Sequence, residues 1–133
     1  MEYVMLTTEE VNNWLSKYGN AWESGDFESV TSLFSEDAVY HEDPFDEPMK
    51  GHNEIRQYWK DGAADSQENA SFQYVLWTIS DDQCFAHWCA TFTRINSQER
   101  VKLDGVFRLK LQRSESDVPV CTSLQEWWHQ RQG

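Results

Sequence analysis

Two periodicities divide the chain. Up to about Gly62 the apolar residues recur at three- and four-residue intervals, and from Ser71 onward they alternate. Thr7-x-x-Glu10 has the form of a capping box, and Val11, Trp14, Leu15, Tyr18 and Trp22 follow on one helical face. This predicts a first helix that Gly25 stops. Asp26 is placed to cap a second, short helix with Phe27, Val30, Leu33 and Phe34 turned inward. Ala38-Val39-Tyr40 reads as a short strand, and Gly51 opens a third helix in which Ile55, Tyr58 and Trp59 share a face, ending near Gly62 or a turn later.

Between that strand and that helix lies Glu42-Asp43-Pro44-Phe45-Asp46-Glu47-Pro48. Each proline lacks a backbone donor and pushes the residue before it toward extended geometry. Asp43 and Glu47 therefore sit on a stiff, irregular connection, which suits a catalytic carboxylate as well as an ordinary acidic loop.

Four longer stretches follow: Phe72 to Ile79, Cys84 to Ile95, Val101 to Leu111 and Val118 to Trp128. All are rich in aromatic and β-branched residues. The links between them are only four to six residues long, which allows hairpins and forbids helical crossovers. Helices first and an antiparallel meander second describe an α+β domain, with helices packed on one face of a sheet. Strands this long must twist and curl, and a curled sheet closed by helices has a concave interior where a pocket forms.

Composition narrows the function more than the fold. At 133 residues the chain is expected to be one domain spanning 1–133, and seven Trp, seven Phe and five Tyr supply a core and a pocket wall together. A net charge of −12 argues against nucleic acid or an anionic membrane surface as partner. No apolar run approaches the roughly 20 residues of a membrane span, and the N-terminus lacks the pattern of a signal peptide. A reduced, cytoplasmic protein is the expectation. Cys84, Cys89 and Cys121 show no metal-type spacing and read as small hydrophobes. His41, Glu42 and Asp43, with His87, are a conceivable metal set, but consecutive residues on an extended chain point to alternate sides. No metal and no cofactor are expected.

Several short motifs carry a resemblance. Tyr18, Ala21-Trp22-x-x-Gly25-Asp26-Phe27, Leu33-Phe34-x-x-Asp37-Ala38, Glu42-Asp43-Pro44 and Gly51-x-x-x-Ile55-Arg56-x-Tyr58 resemble the first half of a nuclear transport factor 2-like domain. Within that superfamily the chain is most similar to the ketosteroid isomerase and SnoaL-like branches, over nearly its whole length. The resemblance implies a cone-shaped fold: three N-terminal helices on a curved, mostly antiparallel sheet with a central pocket. It also implies a polar triad. Tyr18 takes the place of the helix-one tyrosine that donates to a substrate oxygen, Asp43 that of the proton-shuttling base, and Asp104 that of a second oxyanion donor. Such an aspartate donates only if burial keeps it protonated, a case of pKa tuning for which ketosteroid isomerase is itself the standard worked example.

Departures from that pattern leave choices open. Matched to the isomerase, Phe85, His87, Cys89 and Thr91 fall on the pocket face, as do Leu124, Glu126 and Trp128, so His87 and Glu126 add polar groups there. Strict alternation, however, sets Asp104 with Lys102 and Arg108, opposite Leu103 and Phe107; a β-bulge at Gly105 would turn it inward. The candidate catalytic residues are Tyr18, Asp43, His87 and Asp104. The candidate ligand-contacting residues are Trp22, Tyr40, Tyr58, Trp59, Glu126 and Trp128. The first functional expectation is a cofactor-free isomerase, cyclase or dehydratase using a carboxylate base on a small, apolar, carbonyl-bearing ligand. The alternatives are a non-catalytic domain that binds a hydrophobic ligand and a dimerisation module whose pocket its own tryptophans fill. The resemblance also implies a homodimer through the outer sheet face, with Trp77, Trp88 or Phe92 as contacts.

Overall fold

The computed structural model describes residues 6–116 and 118–133. Helix α1 (Thr8–Ser24) begins at the expected capping box, with Thr7 Oγ1 accepting from the Glu10 amide at 3.1 Å and Glu10 Oε1 accepting from the Thr7 amide at 2.9 Å. Gly25 ends it at a φ of 69°, a left-handed conformation that a residue without a Cβ adopts freely. Val11, Trp14, Leu15, Tyr18 and Trp22 are all buried, as the helical spacing requires. Asp26 caps α2 (Phe27–Ser32) through a 3.0 Å bond from the Ser29 amide. Phe34, expected on that helix, instead opens strand β1 (Phe34–His41), because α2 closes after six residues. It remains buried.

A two-residue strand β2 (Met49–Lys50) folds back on Val39 and Tyr40, a pairing too short to leave a sequence signal. Helix α3 (Gly51–Trp59) runs on into a π-helical turn at Lys60–Ala64. The four long strands are β3 (Gln67–Ser80), β4 (Gln83–Arg94), β5 (Arg100–Gln112) and β6 (Val120–Gln132). They form a single sheet in the order β2-β1-β6-β5-β4-β3, antiparallel throughout except where β1 runs parallel to β6. Among the described residues no helix is long and apolar enough to cross a membrane.

The helices cover one face of this sheet. α1 approaches β3 so closely at Gly19 that a Cβ there would stand 2.6 Å from the Phe72 ring. Tyr18 is the hub of the aromatic core, its ring centroid 5.3 Å from those of Trp14, Trp59 and Phe107. Aromatic pairs of this kind add about 0.5–1.5 kcal/mol each beyond the area they bury.

Strand alternation fixes which side chains reach the interior, and here the structure corrects the expectation. On β4 the inward set is Cys84, Ala86, Trp88, Ala90 and Phe92, all buried; Phe85, His87, Cys89 and Thr91 face outward. Trp88 and Phe92 are therefore core residues, and of the three proposed dimer contacts only Trp77 is exposed. Gly105 makes no bulge: β4 and β5 pair without interruption from Gln83↔Lys110 to Thr93↔Arg100. Its missing side chain serves packing instead. A Cβ at Gly105 would lie 2.7 Å from both the Trp88 ring and the Trp127 carbonyl oxygen.

Candidate functional site

The cavity arises from a row across the sheet. Trp88, Gly105 and Trp128 stand side by side on β4, β5 and β6, so two indoles flank a position with no side chain. The next inward row toward the other end is Ala86, Phe107 and Glu126. α1 lays Tyr18 and Trp22 over these rows, α3 adds Tyr58 and Trp59, and β1 adds Tyr40. The space left is a cavity of about 160 Å³.

Its polar groups gather at one end. The Tyr18 and Tyr40 hydroxyls are 3.0 Å apart, and Tyr58 stacks obliquely on Tyr40 with ring centroids 5.4 Å apart. Glu126 lines the cavity beside them and is only 7% exposed, yet its carboxyl has no hydrogen-bond or ion-pair partner among the described residues. Burial, and then the nearby charge of Glu42, push its pKa well above the usual carboxylate range. Glu42 lines the same cavity and is also shifted upward, by burial first and then by Asp43 and Asp46. Burial raises the phenols of Tyr18, Tyr40 and Tyr58 as well, so all three remain neutral donors. Arg94 and Gln130 line the other end, 3.4 Å apart and two strands away from one another.

Two tryptophans hold the frame. Trp22 Nε1 donates to Gln67 at 2.8 Å, and Trp128 Nε1 donates to the Glu42 carbonyl at 3.1 Å, tying the acidic loop to β6. The Trp59 and Trp88 indole N–H groups are buried without partners among the described residues. A buried donor left unpaired costs about 1–3 kcal/mol.

The expected site residues thus divide. Tyr18, Trp22, Tyr40, Tyr58, Trp59, Glu126 and Trp128 come together around the cavity. Asp43 lies outside it, in an adjoining surface hollow that shares Glu42, Glu126 and Trp128; its Oδ1 accepts from the Phe45 amide at 2.8 Å and shapes the turn. His87 and Asp104 are on the far side of the sheet. There His87 Nε2 is 3.0 Å from both Asp104 oxygens, and Cys89 Sγ donates to Asp104 Oδ2 at 3.2 Å. Asp104 is exposed and held below the usual range by the Cys89 and His87 contacts, so it is an ionised surface acid and no buried donor. Glu42 was overlooked as a pocket group. Tyr40 points inward, and a residue two positions further along an extended chain shares its side.

An aromatic cavity closed between three helices and a curved six-stranded sheet defines a nuclear transport factor 2-like pocket domain. The solved structures it resembles share this architecture. They include a putative scytalone dehydratase from Novosphingobium aromaticivorans (TM-score 0.80, 11% identity, covering 94% of this chain and 86% of that one). A putative isomerase from Bacillus subtilis gives 0.79 at 19% identity, with 94% and 90% covered. SalBIII, an epoxide hydrolase/cyclase-like enzyme of pyran ring formation in the polyether salinomycin, gives 0.76 at 17%, with 91% and 92% covered. At such identities the likeness is one of fold. The chain belongs to the SnoaL-like domain family, whose model matches residues 15–115. No curated protein matches it significantly by sequence.

Proposed function

We propose that the protein is an acid–base enzyme that isomerises, dehydrates or cyclises a small apolar ligand bearing one oxygen function, with Glu126 as proton donor. The observation that carries this reading is the buried, partnerless carboxyl of Glu126 in an aromatic cavity. A carboxyl kept neutral by its surroundings can donate to a carbonyl, hydroxyl or epoxide oxygen at neutral pH. Glu42, nearer solvent, is the group that accepts a proton from the substrate; the Tyr18 and Tyr58 hydroxyls stabilise the oxygen as charge develops on it. Asp43 acts at one remove, through its charge on Glu42. Dehydration, isomerisation and epoxide opening, attached by name to proteins of the same fold, all move protons between substrate and a positioned group.

The size of the cavity narrows the ligand. A volume of about 160 Å³ is close to that of an engineered cavity that holds benzene. One ring fills it, and a longer ligand such as a four-ring steroid would have to project from its mouth.

The test is a turnover screen of single-ring enones, hydroxy ketones and epoxides, with Glu126→Gln as comparison. We expect turnover to fall by roughly 100- to 10,000-fold in the variant. If no compound turns over but several bind, and Glu126→Gln alters only their affinity, the domain is a ligand carrier. We infer in addition that two copies pair through the outer sheet face, where Val75, Trp77 and Trp127 are 59%, 59% and 48% exposed. Trp77→Asp should then halve the mass seen by light scattering, and a monomeric parent protein would end that idea.

A further inference from the structure

The outer face carries a second concentration of chemistry that the cavity does not use. His87 Nε2, Cys89 Sγ and an Asp104 carboxylate oxygen all lie within 4.8 Å of one another. The three residues resemble a nucleophilic triad in kind but not in connection. Asp104 stands between the other two: the thiol donates to its carboxylate and the imidazole Nε2–H donates to it as well, while no hydrogen bond joins His87 to Cys89 among the described residues. The histidine is not placed to take the thiol proton. Burial and the Asp104 charge moreover raise the Cys89 thiol above its ordinary value, the opposite of activation.

We propose that His87, Cys89 and Asp104 form a binding site for one divalent transition ion of the zinc type. Nitrogen, thiolate sulfur and carboxylate oxygen are the donor set that zinc takes, with bonds of about 2.0–2.3 Å. Tetrahedral ligands at those lengths stand about 3.4–3.6 Å apart. The present separations are 3.0 Å between His87 and Asp104 and 3.2 Å between Cys89 and Asp104, with all three ligand atoms within 4.8 Å of one another, so seating the ion opens the two Asp104 pairs by a few tenths of an ångström and draws His87 and Cys89 together. Charge also balances: Asp104 and the Cys89 thiolate offset the two positive charges, and the thiol proton leaves to solvent as the bond to the metal forms.

The scaffold is preorganised for this. Cys89 and Asp104 face each other directly across the β4–β5 ladder, and His87 is the next outward residue on β4. Both strands lie inside the sheet, each paired on two sides, which fixes the spacing of the three Cβ atoms. Trp77, displaced outward where β3 slips register, stacks on the His87 ring at 5.7 Å and 8° and holds its plane. Three protein ligands leave the fourth position open, and His129 stands opposite Asp104 on β6, about 4.5–5.5 Å away between Cβ atoms. Lys102 is the nearby charge that opposes the ion. The set is discontinuous in sequence, one His-x-Cys on β4 and one Asp on β5, which is why cysteine spacing alone gives no sign of it.

The test uses Co²⁺ and Zn²⁺ on the full chain under reducing conditions. Of the described thiols only Cys89 is accessible, since Cys84 and Cys121 are fully buried. One equivalent of Co²⁺ should produce a thiolate-to-metal charge-transfer band that Zn²⁺ displaces. Cys89→Ser should abolish the band, and Asp104→Asn should weaken Zn²⁺ binding by calorimetry about a hundredfold, since even an outer partner of a ligand is worth 10- to 100-fold. Both substitutions are near-isosteric and lie on the outer face, and circular dichroism of each variant checks that it folds. Absence of the band in the parent protein, or a band that survives Cys89→Ser, overturns the proposal.

Discussion

The two faces of the sheet carry similar residues and treat them in opposite ways. Glu126 on the inner face and Asp104 on the outer face sit on adjacent strands, and each is a carboxyl beside aromatic or sulfur-bearing neighbours. Burial without a partner drives Glu126 up; exposure with two donors drives Asp104 down. Residue type therefore does not decide which acid is the proton donor. Position in the pleat does, because alternate residues of one strand meet a dry cavity or open water.

The sharpest way to break this contrast is to fill the cavity from the sheet side. Gly105→Ala pushes a methyl group toward the Trp88 ring and the Trp127 carbonyl. We expect a loss of about 1–3 kcal/mol, as for other overpacked interiors, together with loss of ligand binding. A thermal melt and a binding titration check both. An unchanged melting temperature would mean that Trp88 yields freely and that Gly105 does not shape the site.

A second, smaller effect separates the two carboxyls by pH. Glu126 has a folded pKa above its unfolded value, so its charged form opposes folding: the protein loses stability as pH rises through the folded pKa and regains it on acidification. Glu126→Gln should abolish this dependence and leave the variant the more stable one at high pH. Asp104 has the reverse sign. Its stabilisation is present above the unfolded pKa and disappears as pH falls through the lowered folded value. Asp104→Asn should therefore cost little at neutral pH, as exposed ion pairs do, and nothing in strong acid. Chemical denaturation of the two variants across the acid range measures both signs. Parallel curves would refute the comparison.

Much of this arrangement was legible in the residues. The capping box, the buried face of α1 and the four-strand meander follow from spacing, and Glu126 and Trp128 were set inward by alternation from Leu124. The face of β4 was not legible, for a physical reason. Both sides of that strand carry an aromatic ring and a cysteine, so hydrophobicity alone does not separate Phe85 and Cys89 from Cys84 and Trp88. What decides is size: Ala86 and Ala90 are small because the core aromatics crowd that side, and Gly105 is smaller still because Trp88 lies over it. A bulge at Gly105 would turn Asp104 inward, whereas strict alternation sets it outward with Lys102 and Arg108. The ladder shows that the glycine makes room for a ring instead.

The parallel pairing of β1 with β6 has a consequence in time. Tyr40 lies beside Leu124 and His41 beside Gln125, so the first strand meets its neighbour only after most of the chain has been made. Contacts this distant in sequence are slow to form, since a long loop must close before they contribute. Glu42 follows β1 and Glu126 lies on β6, so the two meet only where β1 docks beside β6. The unusual acidity of the cavity belongs to no segment of the chain; it exists only once strands from the two ends of the chain lie side by side.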